Sequence, residues 1–254
     1  MSIDELPTRA AGPVSKACGT LREALAHVRS GATVAVGGFG ACGTPIALVE
    51  ALLDLGVDDL HIISNNCGQD GRGLALLLKE RRIRKFTGSF PGAAFAEHFA
   101  RGEVELELVP QGTAAERLRA GGAGVPAFLL ATGVDTAYAD GGVPVLMDAE
   151  GRLVKESEPK QKQEFGGRTY VLEEALRPDV ALVHAHLGDE AGNLRFRLTA
   201  RNFNPLAAMA ALHTVAQVET LVPTGSIDPD DIHLPGAFVD RIVIADAPLG
   251  DADE

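Results

Sequence analysis

The sequence predicts an α/β fold: a mainly parallel sheet with helices on both faces and one β-hairpin-like excursion. Three observations predict it. Short apolar, β-branched runs alternate with helical patterns along most of the chain. Gly and Pro punctuate the junctions, with 29 Gly and 14 Pro in 254 residues, so turns are tight. Residues are 46% hydrophobic with only 10 Phe, 2 Tyr and no Trp, so Val, Leu, Ile and Ala must build the core.

Residues 21–29 read as a first helix closed by Gly31, and 33–36 as a short buried strand. That strand runs into Gly37-Gly38-Phe39-Gly40. Thr44-Pro45 then reads as an N-cap followed by Pro at the first helical position, opening a helix that Gly56 stops. The rhythm repeats with a strand at 60–63, a polar Gly-rich loop at 64–73, a helix at 74–80, a strand at 85–90 and a helix at 93–101. Residues 105–109 alternate apolar and charged side chains, as a strand near a sheet edge does, and 113–120 form a helix ended by Gly121-Gly122. Residues 138–167 break the rhythm and read as a flap or hairpin excursion, with a turn at Asp148-Ala149-Glu150-Gly151. The pattern resumes with a strand at 180–186, its hairpin partner at 194–198, a helix opened by Asn204-Pro205 and strands at 213–218 and 239–244. The expected organisation is a disordered extension over 1–16, one domain over 17–248 and a disordered acidic tail over 249–254.

Charge and cysteine content restrict the partners. A net charge of −12 opposes phosphate backbones and anionic lipid, which argues against nucleic acid and membrane surfaces. No apolar run reaches the length of a membrane span, and the N-terminus lacks the apolar segment of a secretion signal. Cys18, Cys42 and Cys67 are odd in number and lack metal-site spacing, which fits a reducing cytoplasm.

Three polar loops carry the functional signal. The turn Gly37-Gly38-Phe39-Gly40-Ala41-Cys42-Gly43 lets backbone amides approach a ligand and ends at a helix N-terminus. It is neither a dinucleotide fingerprint nor a P-loop, and its spacing also suits a tight turn with no ligand. Ser64-Asn65-Asn66-Cys67-Gly68 follows the second strand, where two amides could bind a carboxylate or thioester oxygen or close side-chain turns on their own backbone. Pro110-Gln111-Gly112-Thr113 follows the fourth strand. Three such loops on one sheet rim argue for a site better than any one alone. His184, His186 and Asp189 could be a metal set, but no third ligand has convincing spacing, and core or surface histidines are the expectation. Glu97, Glu103, Glu105 and Glu107 read as solvated faces.

Several of these stretches together resemble the A-type subunits of family I coenzyme A transferases. They are the run from Val34 through Gly37-Gly38-Phe39 to Gly43-Thr44-Pro45, Ser64-Asn65-Asn66-Cys67-Gly68, Pro110-Gln111-Gly112-Thr113, Ala200-Arg201-Asn202-Phe203-Asn204-Pro205, and the end from Ile227-Asp228-Pro229 to Leu234-Pro235-Gly236. The similarity spans about residues 21–244 and is nearest to subunits of the 3-oxoacid type. The resemblance implies transfer of CoA from an acyl-CoA such as succinyl-CoA to a 3-oxoacid such as acetoacetate, in ketone body metabolism, with acyl-CoA a substrate and no cofactor. It implies ping-pong catalysis through a glutamate on a partner B-type subunit. That glutamate's Ser-Glu-Asn-Gly context is absent here; Ser157-Glu158 is followed by Pro159. This chain would then supply substrate-binding amides at Asn65, Asn66 and Gln111 and an active-site wall at Gly37, Gly38, Phe39 and Gly43, in an A2B2 assembly. A 3-oxoadipate or short-chain fatty acid transferase, or a non-catalytic CoA-binding scaffold, are the alternatives. One departure is the run after Gly88-Ser89-Phe90, which is shorter than in relatives and lacks their Glu and Asn.

Overall fold

The computed structural model describes residues 15–68 and 71–249. The first half alternates β1 (Thr33–Val36), β2 (Leu60–Ile63), β3 (Ile83–Gly88) and β4 (Glu105–Leu108) with helices α1 (Leu21–Ala24), α2 (Ile46–Asp54), α3 (Leu74–Lys79), α4 (Ala93–Ala100) and α5 (Gln111–Gly122). An excursion follows through β5 (Ala127–Leu130), α6 (Ala137–Asp140), β6 (Pro144–Met147), β7 (Leu153–Glu156), β8 (Lys162–Phe165) and β9 (Arg168–Glu174). The chain returns as β10 (Val180–Asp189), β11 (Leu194–Arg195), α7 (Asn204–Ala210), β12 (His213–Val222) and β13 (Arg241–Ile244).

The central sheet has the order β13-β12-β10-β1-β2-β3-β4, every pair parallel, with β11 antiparallel on β10. β1 lies in the middle, with Val34 between Val180 and Ile62. From it the chain winds outward one way to β4 and later the other way to β13. In open parallel sheets the crevice for ligands lies outside the carboxyl ends of the strands, at this reversal.

Successive residues of β1 face opposite layers, because side chains alternate along a strand. Val34 and Val36 join one core with Leu48, Leu52, Leu77 and Phe86, beneath α1 to α4. Ala35 joins the other with Ala181, Val183, Ala207 and Ala208, beneath α5 and α7. The second layer is built from small residues, so its helices sit close. A Cβ on Gly121 would lie 2.0 Å from the Leu176 carbonyl oxygen, and one on Gly122 2.7 Å from that of Met209. The two glycines expected to stop α5 lie inside it, and serve close packing.

Other boundaries move for local reasons. The first helix stops at Ala24, and the guanidinium of Arg29 bonds the carbonyls of Ala26 and Val28. Thr44 does not cap α2; its hydroxyl donates to Gly40 O at 3.4 Å, and Pro45 takes the cap position. β3 ends at Gly88, so Phe90 lies beyond it and is 67% exposed. The excursion contains a β6–β7 hairpin closed at Asp148 and Gly151, and a three-stranded antiparallel sheet β5-β9-β8. Most of the expected extension and tail lies outside the described residues. At their inner ends Lys16 Nζ donates to the carbonyls of Gly236 and Val239, and Leu249 packs on the first core.

The edge strand β4 is not solvated along its charged face, as its alternation suggested for Glu107. Glu107 accepts from Arg117 Nη1 at 2.7 Å and from the Thr87 hydroxyl at 3.0 Å, and pairs with Lys85 at 2.7 Å. Burial pushes its carboxyl up, but Arg117 and Lys85 outweigh burial and hold it down at about 2. The buried Glu173 accepts from Tyr138 Oη and Lys160 Nζ at 2.8 and 3.0 Å, which fastens the excursion to the body.

The same network reaches His61. The Thr87 hydroxyl donates to Glu107 and so accepts from His61 Nε2 at 2.8 Å. Burial, then the nearby Lys85, lower the His61 pKa from 6.5 to about 4. Below pH 6.5 the unfolded chain therefore takes up a proton that the folded chain refuses. Folding stability is expected to fall by about 3 kcal/mol as pH drops from 6.5 to about 4. Urea unfolding across that range should show the slope, and His61→Gln should remove it.

Candidate active site

The loops after β1, β2, β3 and β4 meet at the carboxyl ends of their strands. They enclose an open groove of about 570 Å³ whose walls include Phe39, Asn65, Asn66, Ser89, Phe90 and Gln111. A smaller cavity of about 250 Å³ lies beside it, behind the turn, against Gly38, Thr44, Ser64 and Arg72. Asn66 lines both.

The turn after β1 is a small hairpin. Phe39 and Cys42 exchange both backbone hydrogen bonds at 3.0 Å, with Gly40 at φ +60° between them. Phe39 is 48% exposed at its corner. The amides of Gly38, Gly40 and Ala41 donate to no group among the described residues. Gly38 needs its glycine twice over: its φ is +110°, and a Cβ would lie 2.5 Å from Thr44 Oγ1. Gly37 and Gly43 do not line the groove; they lie behind it, pressed against Asn204 and Ala200.

The two adjacent asparagines divide the work. Asn66 ties the loops together, donating from Nδ2 to Gly40 O at 3.2 Å and accepting from Gly68 N at 3.3 Å. Asn65 accepts from the Ser89 hydroxyl at 2.8 Å, and its own carbonyl accepts from Phe90 N at 3.0 Å. Its Nδ2 has no partner among the described residues, and Asn65 is part of the groove wall. Gln111 is exposed at the first position of α5, with its amide unpaired among the described residues. Asn65, Asn66, Gln111 and Phe39 thus come together. Ser89 and Phe90 join them although the sequence pattern put both in a strand.

No carboxylate, Lys or Arg lines the groove among the described residues. Its donors are neutral amides, a hydroxyl and backbone N–H groups. Such a surface can stabilise an oxyanion without protonating an incoming carboxylate. Arg72, by the smaller cavity, pairs with Glu50 at 3.2 Å.

The remaining candidates lie elsewhere. His184 and His186 both bond Glu219, at 3.1 and 2.9 Å, whereas Asp189 turns to Asn193. Among the described residues no cluster of His, Cys, Asp or Glu could hold a metal. Cys67 is buried, which pushes its thiol up to about 12, whereas Cys42 is exposed beside Thr199. The described helices include none long and apolar enough to cross a membrane.

Residues 19–245 match the family described as coenzyme A transferase. The chain is 53% identical over 232 residues to a Mycobacterium bovis protein named as the A-type subunit of a probable succinyl-CoA:3-ketoacid coenzyme A transferase, covering 91% of this chain and 94% of that one. It is 50% identical over 242 residues to the A-type subunit of the succinyl-CoA:3-ketoacid coenzyme A transferase of Xanthomonas campestris, covering 94% and 93%. Its fold is that of an acyl-CoA transferase from Escherichia coli O157:H7 solved as a thioester complex with CoA, with a TM-score of 0.77 at 22% identity. The alignment covers 95% of this chain but spans only 48% of the E. coli chain.

Proposed function

Because the chain belongs to the coenzyme A transferase family, we propose that it is the A-type subunit of a cytoplasmic succinyl-CoA:3-oxoacid CoA transferase that works only with a B-type partner. One observation carries the reading: four strand-end loops build a groove rich in amide donors whose described walls hold no carboxylate to act as nucleophile. Two further findings support it. Relatives half identical to this chain are named as A-type subunits of such enzymes, and the chain corresponds to about half of the E. coli enzyme chain.

In this reading a partner glutamate attacks the thioester carbonyl of succinyl-CoA. The oxyanion collapses by expelling the CoA thiolate and leaves a mixed anhydride. The thiolate attacks the glutamyl carbonyl, succinate departs, and a glutamyl-CoA thioester remains. The carboxylate of the acceptor, acetoacetate, then runs these steps in reverse and leaves as its CoA thioester. This chain supplies the surroundings. Asn65 and Gln111 line the groove, and in this reading their amide N–H groups meet the developing oxyanion. Phe39 and Phe90 form an apolar rim that keeps water from the anhydride. A nucleophile delivered from another chain demands a large interface, of about 2,000 Å² or more, and an A2B2 assembly is the natural closed form.

The test is reconstitution. Each chain alone should give no exchange. The mixture should transfer CoA from succinyl-CoA to acetoacetate faster than to 3-oxoadipate or acetate, and mass spectrometry should find CoA bound to a partner glutamate. Full turnover by this chain alone, or no exchange with any acid, would reject the reading.

A further inference from the structure

The segment after β11 crosses behind the 37–43 turn and grips it. Thr199 Oγ1 lies 3.4 Å from Cys42 Sγ, and Asn202 Nδ2 donates to Cys42 O at 3.1 Å. Asn204 goes further. Its Nδ2 donates to Gly43 O at 2.9 Å and to Ala200 O at 2.8 Å, and its Oδ1 accepts from His184 N at 2.9 Å. One fully buried amide therefore joins the turn, the crossing segment and strand β10.

The partners fix its orientation. A backbone N–H needs an acceptor and two carbonyls need a donor, so the amide cannot be reversed. The fit has no slack either. A Cβ on Gly37 would lie 1.9 Å from Asn204 Oδ1, and one on Gly43 would lie 3.0 Å from Asn204 Nδ2 and 2.8 Å from Ala200 O. Asn-Pro reads in sequence as a helix start, but the Asn204 side chain caps nothing in α7.

We infer that Asn204 is a positioning residue for CoA transfer: its amide bonds the Gly43 end of the 37–43 turn and packs against the Gly37 end, and so sets where Phe39 and the turn amides stand against the acyl group. The inference rests on the proposed function. It requires a neutral donor at Nδ2, not merely a side chain of this size. Aspartate has the same shape and keeps the acceptor for His184 N, but turns a second oxygen on the carbonyls of Gly43 and Ala200. Protonating that buried carboxyl restores a donor.

The experiment compares Asn204→Asp with the wild-type chain, each paired with the B-type partner. At about pH 8 kcat should fall about 100-fold while KM for succinyl-CoA stays within about twofold. Lowering the pH to about 6 should restore about tenfold relative to wild type, because burial raises a carboxyl pKa. A variant with wild-type kcat at every pH, or a loss that pH does not relieve, would overturn the inference while the active wild-type pair leaves the proposed function standing. An inactive wild-type pair would overturn that function instead. Should Asn204→Asp fail to assemble, the half-buried Asn202→Ala decides, since it removes one hold on the same turn. A kcat lowered about fivefold at constant KM supports the inference, and an unchanged kcat overturns it.

Discussion

Gly37→Ala is expected to cost this protein stability and nearly all of its activity. The added methyl carbon would lie 1.9 Å from Asn204 Oδ1 and 3.2 Å from Asn204 Cα, so the asparagine must move. Moving it breaks bonds to His184 N, Gly43 O and Ala200 O at a fully buried position. Each buried group left unpaired costs about 1–3 kcal/mol, so the folded state should lose about 3 kcal/mol or more. Displacing the turn by an ångström is enough to lower turnover of the pair about 100-fold. Urea unfolding and exchange kinetics measured side by side check both halves. Near-normal stability and turnover would show that the turn tolerates a displaced Asn204.

Gln111→Ala is expected to do the opposite: to leave the fold intact and lower turnover by about 10- to 1000-fold. Gln111 is exposed, makes no side-chain hydrogen bond among the described residues and starts α5 without capping it, so stability does not depend on it. Its one evident environment is the groove it shares with Asn65 and Phe39. If it donates to the oxyanion, kcat and kcat/KM should fall together, because the bond forms fully only in the transition state. Unchanged kinetics would remove Gln111 from the site. Glu107, three residues before Pro110, gives the contrast: it is held by Arg117 and Lys85, and its removal should be felt in stability.

Much of this was legible in order along the chain. Strands β1 and β2 were readable to the residue, because short apolar runs that end at Gly37 and at Ser64-Asn65-Asn66 have few other solutions. So was the gathering of Asn65, Asn66 and Gln111 on one rim, since parallel strands put all their carboxyl-terminal loops at the same end. What could not be read was what each polar group does on arrival. Glu107 looked solvated from its alternation, but Arg117 and Lys85 come from α5 and β3 to pair with it at a half-buried position. Gly121 and Gly122 looked like a helix stop, yet they admit backbone from Leu176 and Met209.

By itself the sequence determined an α/β sheet, a Gly-rich turn and a set of amides at one end, because periodicity and turn chemistry are local properties. The tertiary structure alone decided which amides are free and which are committed. Asn65 leaves its Nδ2 without a partner among the described residues, Asn66 commits its amide to Gly40 and Gly68, and Asn204 serves a turn 161 positions away. The reason is that a hydrogen bond depends on distances of about 3 Å between groups whose separation along the chain carries no such information.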